Sequence, residues 1–299
     1  SDGSRVAIGA PYNNNVVGGI DSGHVRIFDY DSLSSSWVQM GADIDGVSVN
    51  GYSGGSVSLA GDGSRVAIGA YGALSAAGQV RVWQLDYLPS GQPSGQPTFS
   101  AREWFQVGGS IDGEAAGDNS GVRRGVSMSY DGSRVAIGAR LNDGVNGVDS
   151  GHVRVFEYAS STWTQLGDDI DGEAAGDKSG YAVSLSGDGS IVAIGAYHNG
   201  DFGIDAGHVR IYQYSSSSWV LIGEIDGEAA GDRSGVAVSL SSDGHRVAIG
   251  AYFNGGAGIH TGHVRVFEYD SSSWNQLGAD VDGEAAGDNT GVSISLSSD

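Results

Sequence analysis

Ser234–Tyr252 reads SGVAVSLSSDGHRVAIGAY. Apolar residues alternate with serine and alanine as far as Leu240, an Asp-Gly pair follows at Asp243–Gly244, and a second apolar run covers Val247–Ala251. Period-two alternation on both sides of Asp-Gly is the pattern of two short strands joined by a tight turn, because glycine accepts the positive φ that such turns require. The small side chains of the first strand suit a crowded, innermost position, and the Asp-Gly connection is expected to be a minimal hairpin.

The same hairpin recurs at Asp2, Asp62, Asp131 and Asp188, and the chain reaches Asp299 in the same phase, with spacings of 60, 69, 57, 55 and 56 residues. Repeats of this length belong to propellers and solenoids. A well-formed repeat holds four strand-like segments, Tyr181–Ser186, Ile191–Ala196, Gly207–Tyr214 and a segment opening at Trp219. Four antiparallel strands per repeat is the composition of a propeller blade. The expected fold is therefore all-β, a five-bladed β-propeller of four-stranded antiparallel blades forming one domain over residues 1–299. Since the first repeat lacks its inner strand, Gly291–Ser297 is expected to pair with Val6–Ala10 and close the ring, leaving no sheet edge unpaired. The Pro/Ser/Gly/Gln-rich run at 89–98 interrupts the second repeat and is expected to project as a polar loop suited to O-glycosylation.

Composition narrows the function classes. The formal net charge is −21, from 36 acidic and 15 basic residues, which disfavours phosphate backbones and anionic lipid, so no nucleic acid and no membrane insertion is expected. The absence of cysteine removes disulfides, thiolate metal sites and cysteine nucleophiles. No apolar run approaches the roughly 20 residues that span a bilayer. The chain opens on Ser1 without an initiator methionine or a signal-peptide pattern, which suggests a processed product or a piece of something longer.

Two residue types recur at fixed phase. Histidine stands in Gly-His-Val-Arg at His24, His152, His208 and His263, with Gln79 in its place in the second repeat. Repetition by blade favours a shared contact with the neighbouring blade over convergence of all four histidines on one ion. Tryptophan opens the fourth segment at Trp37, Trp104, Trp163, Trp219 and Trp274, where packing between blades outweighs sugar stacking.

Acidic residues collect in the crossing from each fourth strand to the next first strand: Ser110–Asp118, Asp169–Asp177, Glu224–Asp232 and Asp280–Asp288 hold 15 of the 36 acids. The first repeat has a degenerate crossing that keeps Asp45 and loses the glutamate. Asp171, Glu173 and Asp177, with the equivalent sets Asp226, Glu228, Asp232 and Asp282, Glu284, Asp288, are calcium candidates, because an acidic, glycine-bearing loop can wrap oxygen ligands around that ion. The alternative is that these acids fix turns by bonding backbone amides. No catalytic residue stands out: the inner strands carry serine and aliphatic residues, and the serines, histidines and aspartates of note repeat by blade.

Ser-Gly, a strand, Asp-Gly and Val-Ala-Ile-Gly-Ala together resemble the FG-GAP repeat of integrin-α-like β-propellers, with a literal Gly-Ala-Pro at Gly9–Pro11. The likeness runs through all five repeats. It departs from the family at Ser179, Ser234 and Thr290, which replace phenylalanine, and at Tyr71, Arg140, Tyr197 and Tyr252, which replace proline. The family's acidic calcium loop is reduced here to Asp-Gly, so that calcium site does not transfer. The resemblance implies a non-enzymatic extracellular or cell-surface adhesion or structural module. Its partner would be a protein or glycan, or further copies in a filament. A carbohydrate-binding or polysaccharide-degrading propeller is the alternative. The loops Tyr12–Asp21, Leu141–Asp149, Tyr197–Asp205 and Tyr252–His260 vary on a fixed frame, and a binding surface is expected there.

Overall fold

The structure is a computed structural model that describes residues 3–87, 102–256 and 258–297. The Pro-rich run at 89–98 and the Asp2 turn lie outside the described residues.

The chain forms five antiparallel sheets in sequence order, a propeller-like all-β arrangement. Sheet four shows the pattern: Ala182–Leu185, Ile191–Ala196, His208–Ser215 and Ser218–Asp226 pair in chain order. Sheet two (Ser53–Leu59, Arg65–Ala70, Gln79–Tyr87, Arg102–Gln106) carries a further two-residue strand, Ile111–Asp112, paired to its third strand. Sheets three and five repeat this arrangement from Val126–Met128 to Ile170–Asp171 and from Ala237–Leu240 to Val281–Asp282. In sheet four the last two segments merge into one strand with a bulge at Ile211/Tyr212.

Apolar residues are buried between neighbouring sheets rather than in one central core. Val25 and Ile27 of sheet one pack with Val66, Ile68 and Trp104 of sheet two. Equivalent clusters join sheets two and three through Val80, Val82, Val135 and Ile137, and sheets four and five through Val209, Ile211, Val247 and Ile249. Strand-two residues such as Ile191–Ala196 are buried along their whole length, because each face meets a neighbouring sheet.

The serines of the inner strands have a role beyond small size. The Oγ atoms of Ser58, Ser127 and Ser184 accept the backbone N–H of Met128, Leu185 and Leu240 at 3.0, 2.9 and 2.9 Å, so each inner strand hangs on the preceding one. The turn is less minimal than Asp-Gly alone suggests. Ala60 N–H bonds Arg65 O, Gly63 N–H bonds Ala60 O, and Gly63 sits at φ +71°, so four residues connect the strands. Asp62 caps this loop by accepting Ser64 N–H at 2.8 Å.

The expected ring closure is not formed. Among the described residues, Gly291–Ser297 adopts no strand and Arg5–Ala10 pairs with His24–Asp31 alone. Leu296 N–H instead donates to Ser239 Oγ at 2.9 Å, the same bond that seats the inner strands of sheets three, four and five on their predecessors. The C-terminal segment thus takes the place of an inner strand beyond sheet five, and Ile8 in the first strand is 52% exposed, whereas the equivalent Ile68, Ile137, Ile194 and Ile249 are each 1% exposed.

What sets the spacing between sheets is a glycine contact. A Cβ placed on Gly195 would lie 2.0 Å from Gly235 O, and the same holds for Gly138 against Gly180 and Gly250 against Gly291. We expect Gly195→Ala to lower stability by about 2 kcal/mol through this overpacking. Gly200→Ala, whose Cβ would meet nothing within 4 Å, should be near neutral. Equal chemical-denaturation midpoints for the two variants would refute the contact's role.

Candidate functional site

The Gly-His-Val-Arg strands and the acidic crossings meet at each sheet junction. Arg154, Arg210 and Arg265 reach the preceding crossing and donate from Nη2 to the carbonyls of Asp112, Asp171 and Asp226 at 2.8, 2.6 and 2.5 Å. Trp104, Trp163 and Trp219 bond the carbonyls of Met40, Val107 and Leu166 in the preceding sheet through Nε1 at 3.0, 2.9 and 2.7 Å, so the tryptophans serve inter-sheet packing, as their repetition suggests.

The histidines do not converge on one another: His24 Nδ1 lies 3.8 Å from Asp43, and each of the other three faces two carboxylates. His152 Nδ1 lies 3.7 Å from Glu114 and 3.8 Å from Asp169. His208 Nδ1 lies 3.6 Å from Glu173 and 3.1 Å from Glu224, and His263 Nδ1 lies 3.8 Å from Glu228 and 3.5 Å from Asp280. All three rings are buried. Burial, followed by the Arg210 charge, lowers the His208 pKa to about 4, so this imidazole is neutral at pH 7. Burial lowers His152 likewise, and burial together with Glu173 raises the Glu224 carboxyl.

The expected calcium residues are thereby dispersed. Asp171, Asp226 and Asp282 sit in short strand pairings with His152, His208 and His263. Glu173 and Glu228 turn away toward the next sheet's histidine and arginine, and Glu284 is exposed. Asp177, Asp232 and Asp288 accept the backbone N–H of Ala174, Ala229 and Ala285 at 3.1, 2.9 and 2.8 Å. Asp177 and Asp232 also accept from Asn199 and Asn254, and burial raises the Asp177 carboxyl. Among the described residues, no crossing gathers its own three acids into one oxygen cage; the groups that do converge are the histidine sets above.

A second constellation repeats by blade only in part. It lies where the second strands end and the variable loops begin, at the positions that depart from Gly-Ala-Pro. Tyr12, Tyr52 and Tyr71 form one ring cluster, with centroids 5.6 and 4.9 Å apart. Tyr181 and Tyr197 lie 4.3 Å apart with the Arg140 guanidinium 5.8 Å from the Tyr181 ring. Arg233 donates to Tyr252 Oη at 2.8 Å and sits 4.6 Å from the Phe253 ring. Beside them His198 Nδ1 is 2.7 Å from Asp205 Oδ1, with its ring 4.2 Å from Tyr197, and Arg233 Nη2 is 3.9 Å from Asp205. An ionised carboxylate only accepts, so Nδ1–H donates to Asp205, which in the neutral imidazole puts the lone pair on Nε2.

Both partners are reachable, with side-chain exposures of 24% for His198 and 32% for Asp205. Next to this cluster a cleft of ≈ 760 Å³ is lined by Asp232, Phe253, Asn254, Ile259 and His260, with His260 stacked on Phe253. His198 escapes an argument based on repetition because the residues at its phase are Leu141 and Phe253, whereas Asp205 recurs as Asp21 and Asp149. The visible signal was the replacement of proline by tyrosine and arginine after Gly-Ala.

No family model and no curated protein matches the chain. Solved structures do. A Bacteroides fragilis structure named for 6-phosphogluconolactonase aligns with a TM-score of 0.57 at 13% identity, over 98% of this chain and 70% of that one. Kuenenia stuttgartiensis hydrazine synthase aligns at 0.56 and 13%, over 92% and 74%. The periplasmic gluconolactonase of Pseudomonas aeruginosa aligns at 0.53 and 15%, over 94% and 69%. These likenesses show the fold. They also correct the expectation of a non-enzymatic adhesion module: this architecture is shared with proteins named for enzymes, and the unrepeated His198–Asp205 pair removes the argument that every candidate residue is scaffold. Among the described residues, no helix is long and apolar enough to cross a membrane.

Burial, then a hydrogen bond donated by Tyr71 to Tyr12, pushes the Tyr71 phenol from 10.0 up to about 12. The folded chain holds this proton more tightly than the unfolded chain, so the stabilisation is complete below pH 10 and lost as pH rises toward 12. Melting temperature should fall across that window, and Tyr71→Phe should flatten the fall. An unchanged slope in the variant would contradict this placement of Tyr71.

Proposed function

We propose that this protein hydrolyses a sugar-derived lactone at the His198–Asp205 site, with the FG-GAP-like repeats serving as its frame. The observation that carries the proposal is the 2.7 Å His198–Asp205 contact beside Tyr197 and Arg233. Asp205 fixes the tautomer, leaving Nε2 free to take a proton from water. That water attacks the lactone carbonyl, and the Arg233 guanidinium stands where it can stabilise the oxyanion. As the ring C–O bond breaks, His198 returns the proton to the departing alkoxide, giving a hydroxy acid. Tyr252 and Phe253 offer flat apolar faces to a sugar ring. The lactonase names among the structural neighbours support this substrate class, and the periplasmic neighbour supports an exported location.

The inner strands carry no carboxylate among the described residues, which leaves the polysaccharide-cleaving alternative without its acid pair.

The test is hydrolysis of glucono-δ-lactone and 6-phosphogluconolactone, measured as acid release above the spontaneous rate. His198→Asn should lower kcat by about 10²–10⁴-fold, and Asp205→Asn should lower it through the wrong tautomer, both with unchanged melting temperature. Wild-type rates no higher than background on both lactones, or full activity in His198→Asn, would overturn the proposal.

A further inference from the structure

Two of the three junction clusters have a geometry that hydrogen bonding does not explain; in the third, His208 Nδ1 makes a 3.1 Å hydrogen bond with Glu224 Oε1. His152 and His263 make no hydrogen bond through either ring nitrogen among the described residues, although both side chains are only 2% exposed. Their Nδ1 atoms stand 3.5–3.8 Å from two carboxylates each. That is too long for a hydrogen bond. Two ligands of one tetrahedral ion with bonds near 2.0–2.2 Å sit roughly 3.4 Å apart, which is close to what is seen. In all three clusters the ligand atoms lie within 4.8 Å of one another.

The glutamates are pre-oriented. Glu114, Glu173 and Glu228 each present Oε1 to an arginine, at 3.5, 3.5 and 3.8 Å, and Oε2 to the histidine. An arginine holding the outer oxygen of a carboxylate is the kind of outer-shell contact that aims a metal ligand. The carboxylates are half-exposed, which leaves an open side for entry and for water.

The chain also contains its own counter-example. At the junction of sheets one and two, Gln79 stands in the histidine position, Val47 in that of the glutamate and Ser110 in that of the third acid. The register fixes these equivalences, since Gln79 pairs with Asp112 just as His152 pairs with Asp171. All three donors are replaced together. Gln79 bonds Asp112 directly at 2.8 Å, closing that junction without the set.

We infer that the junctions built on Glu114/His152/Asp169, Glu173/His208/Glu224 and Glu228/His263/Asp280 are three equivalent sites for a divalent transition metal of the zinc class. One imidazole nitrogen and two carboxylate oxygens select such a metal over calcium or magnesium, which take oxygen alone. The sites clamp successive sheets, because the glutamate belongs to the crossing before the one that supplies the third acid. They are separate from the His198–Asp205 dyad and do not depend on the proposed hydrolysis.

The test is metal stoichiometry of the whole chain after chelation, incubation with zinc chloride and desalting. Three equivalents are expected for the unmodified chain, two for His208→Gln, and none for the triple change of His152, His208 and His263 to glutamine. Glutamine is the residue that the chain itself uses at this place, so the variants should fold, which circular dichroism checks. Cobalt(II) provides a second readout: a visible band of four-coordinate intensity that drops by a third in His208→Gln. Fewer than one equivalent in the unmodified chain, or a stoichiometry that His208→Gln leaves unchanged, would overturn the inference and leave the clusters as plain polar contacts.

Discussion

The fold rests on how closely one backbone approaches another. At five places, from Gly9 against Gly54 to Gly250 against Gly291, the glycine of Val-Ala-Ile-Gly-Ala sits against the carbonyl of the next Ser-Gly or Thr-Gly glycine, with room for no side-chain carbon. This contact fixes the distance at which sheets face each other. The valines and isoleucines of the second and third strands can then bury both faces, tryptophan and arginine can each reach a carbonyl in the preceding sheet, and serine can accept an amide of the following one. A wider spacing would strand those donors, which is costly for buried polar groups. The glycine content thus follows from packing between sheets as well as from turns.

Much of this was legible in the sequence. The Asp-Gly phase gave the repeats, and alternation gave the strands. Fixed-phase tryptophan correctly pointed to contacts between repeats. Other features were not legible, for physical reasons. Ring closure was inferred from strand count, yet pairing depends on where Gly291–Ser297 is carried by its bond to Ser239, and that bond places it beside sheet five. The acids of one crossing were grouped because they adjoin in sequence. In space the crossing bends, so that Glu173 serves the next sheet's histidine while Asp177 caps its own turn. Neighbours in a repeat protein are found one period away as often as a few residues away.

The same lesson applies to function. Repetition argues for scaffold, and Trp219 or Arg210 fit that argument. It fails for residues at variable positions on the same frame. His198 aligns with Leu141 and Phe253, so nothing in the periodic pattern marks it, and only the return of the loop to Asp205 builds the dyad. Guanidinium groups such as Arg140 and Arg233 stand beside aromatic rings at this end of the sheets, in a chain whose net charge is −21. The molecule therefore separates two kinds of histidine: buried ones held between sheets, and a partly exposed one paired to a carboxylate beside aromatic rings.

That separation can be read residue by residue. The chain has seven histidines, and long-range nitrogen–proton correlation spectra resolve each imidazole during titration with 6-phosphogluconate, the product of lactone opening. The account predicts that the His198 resonances shift in a saturable way and that Asp205→Asn abolishes the shift, while His152, His208 and His263 stay in place. Saturable shifts at the buried junction histidines with His198 unmoved would contradict it.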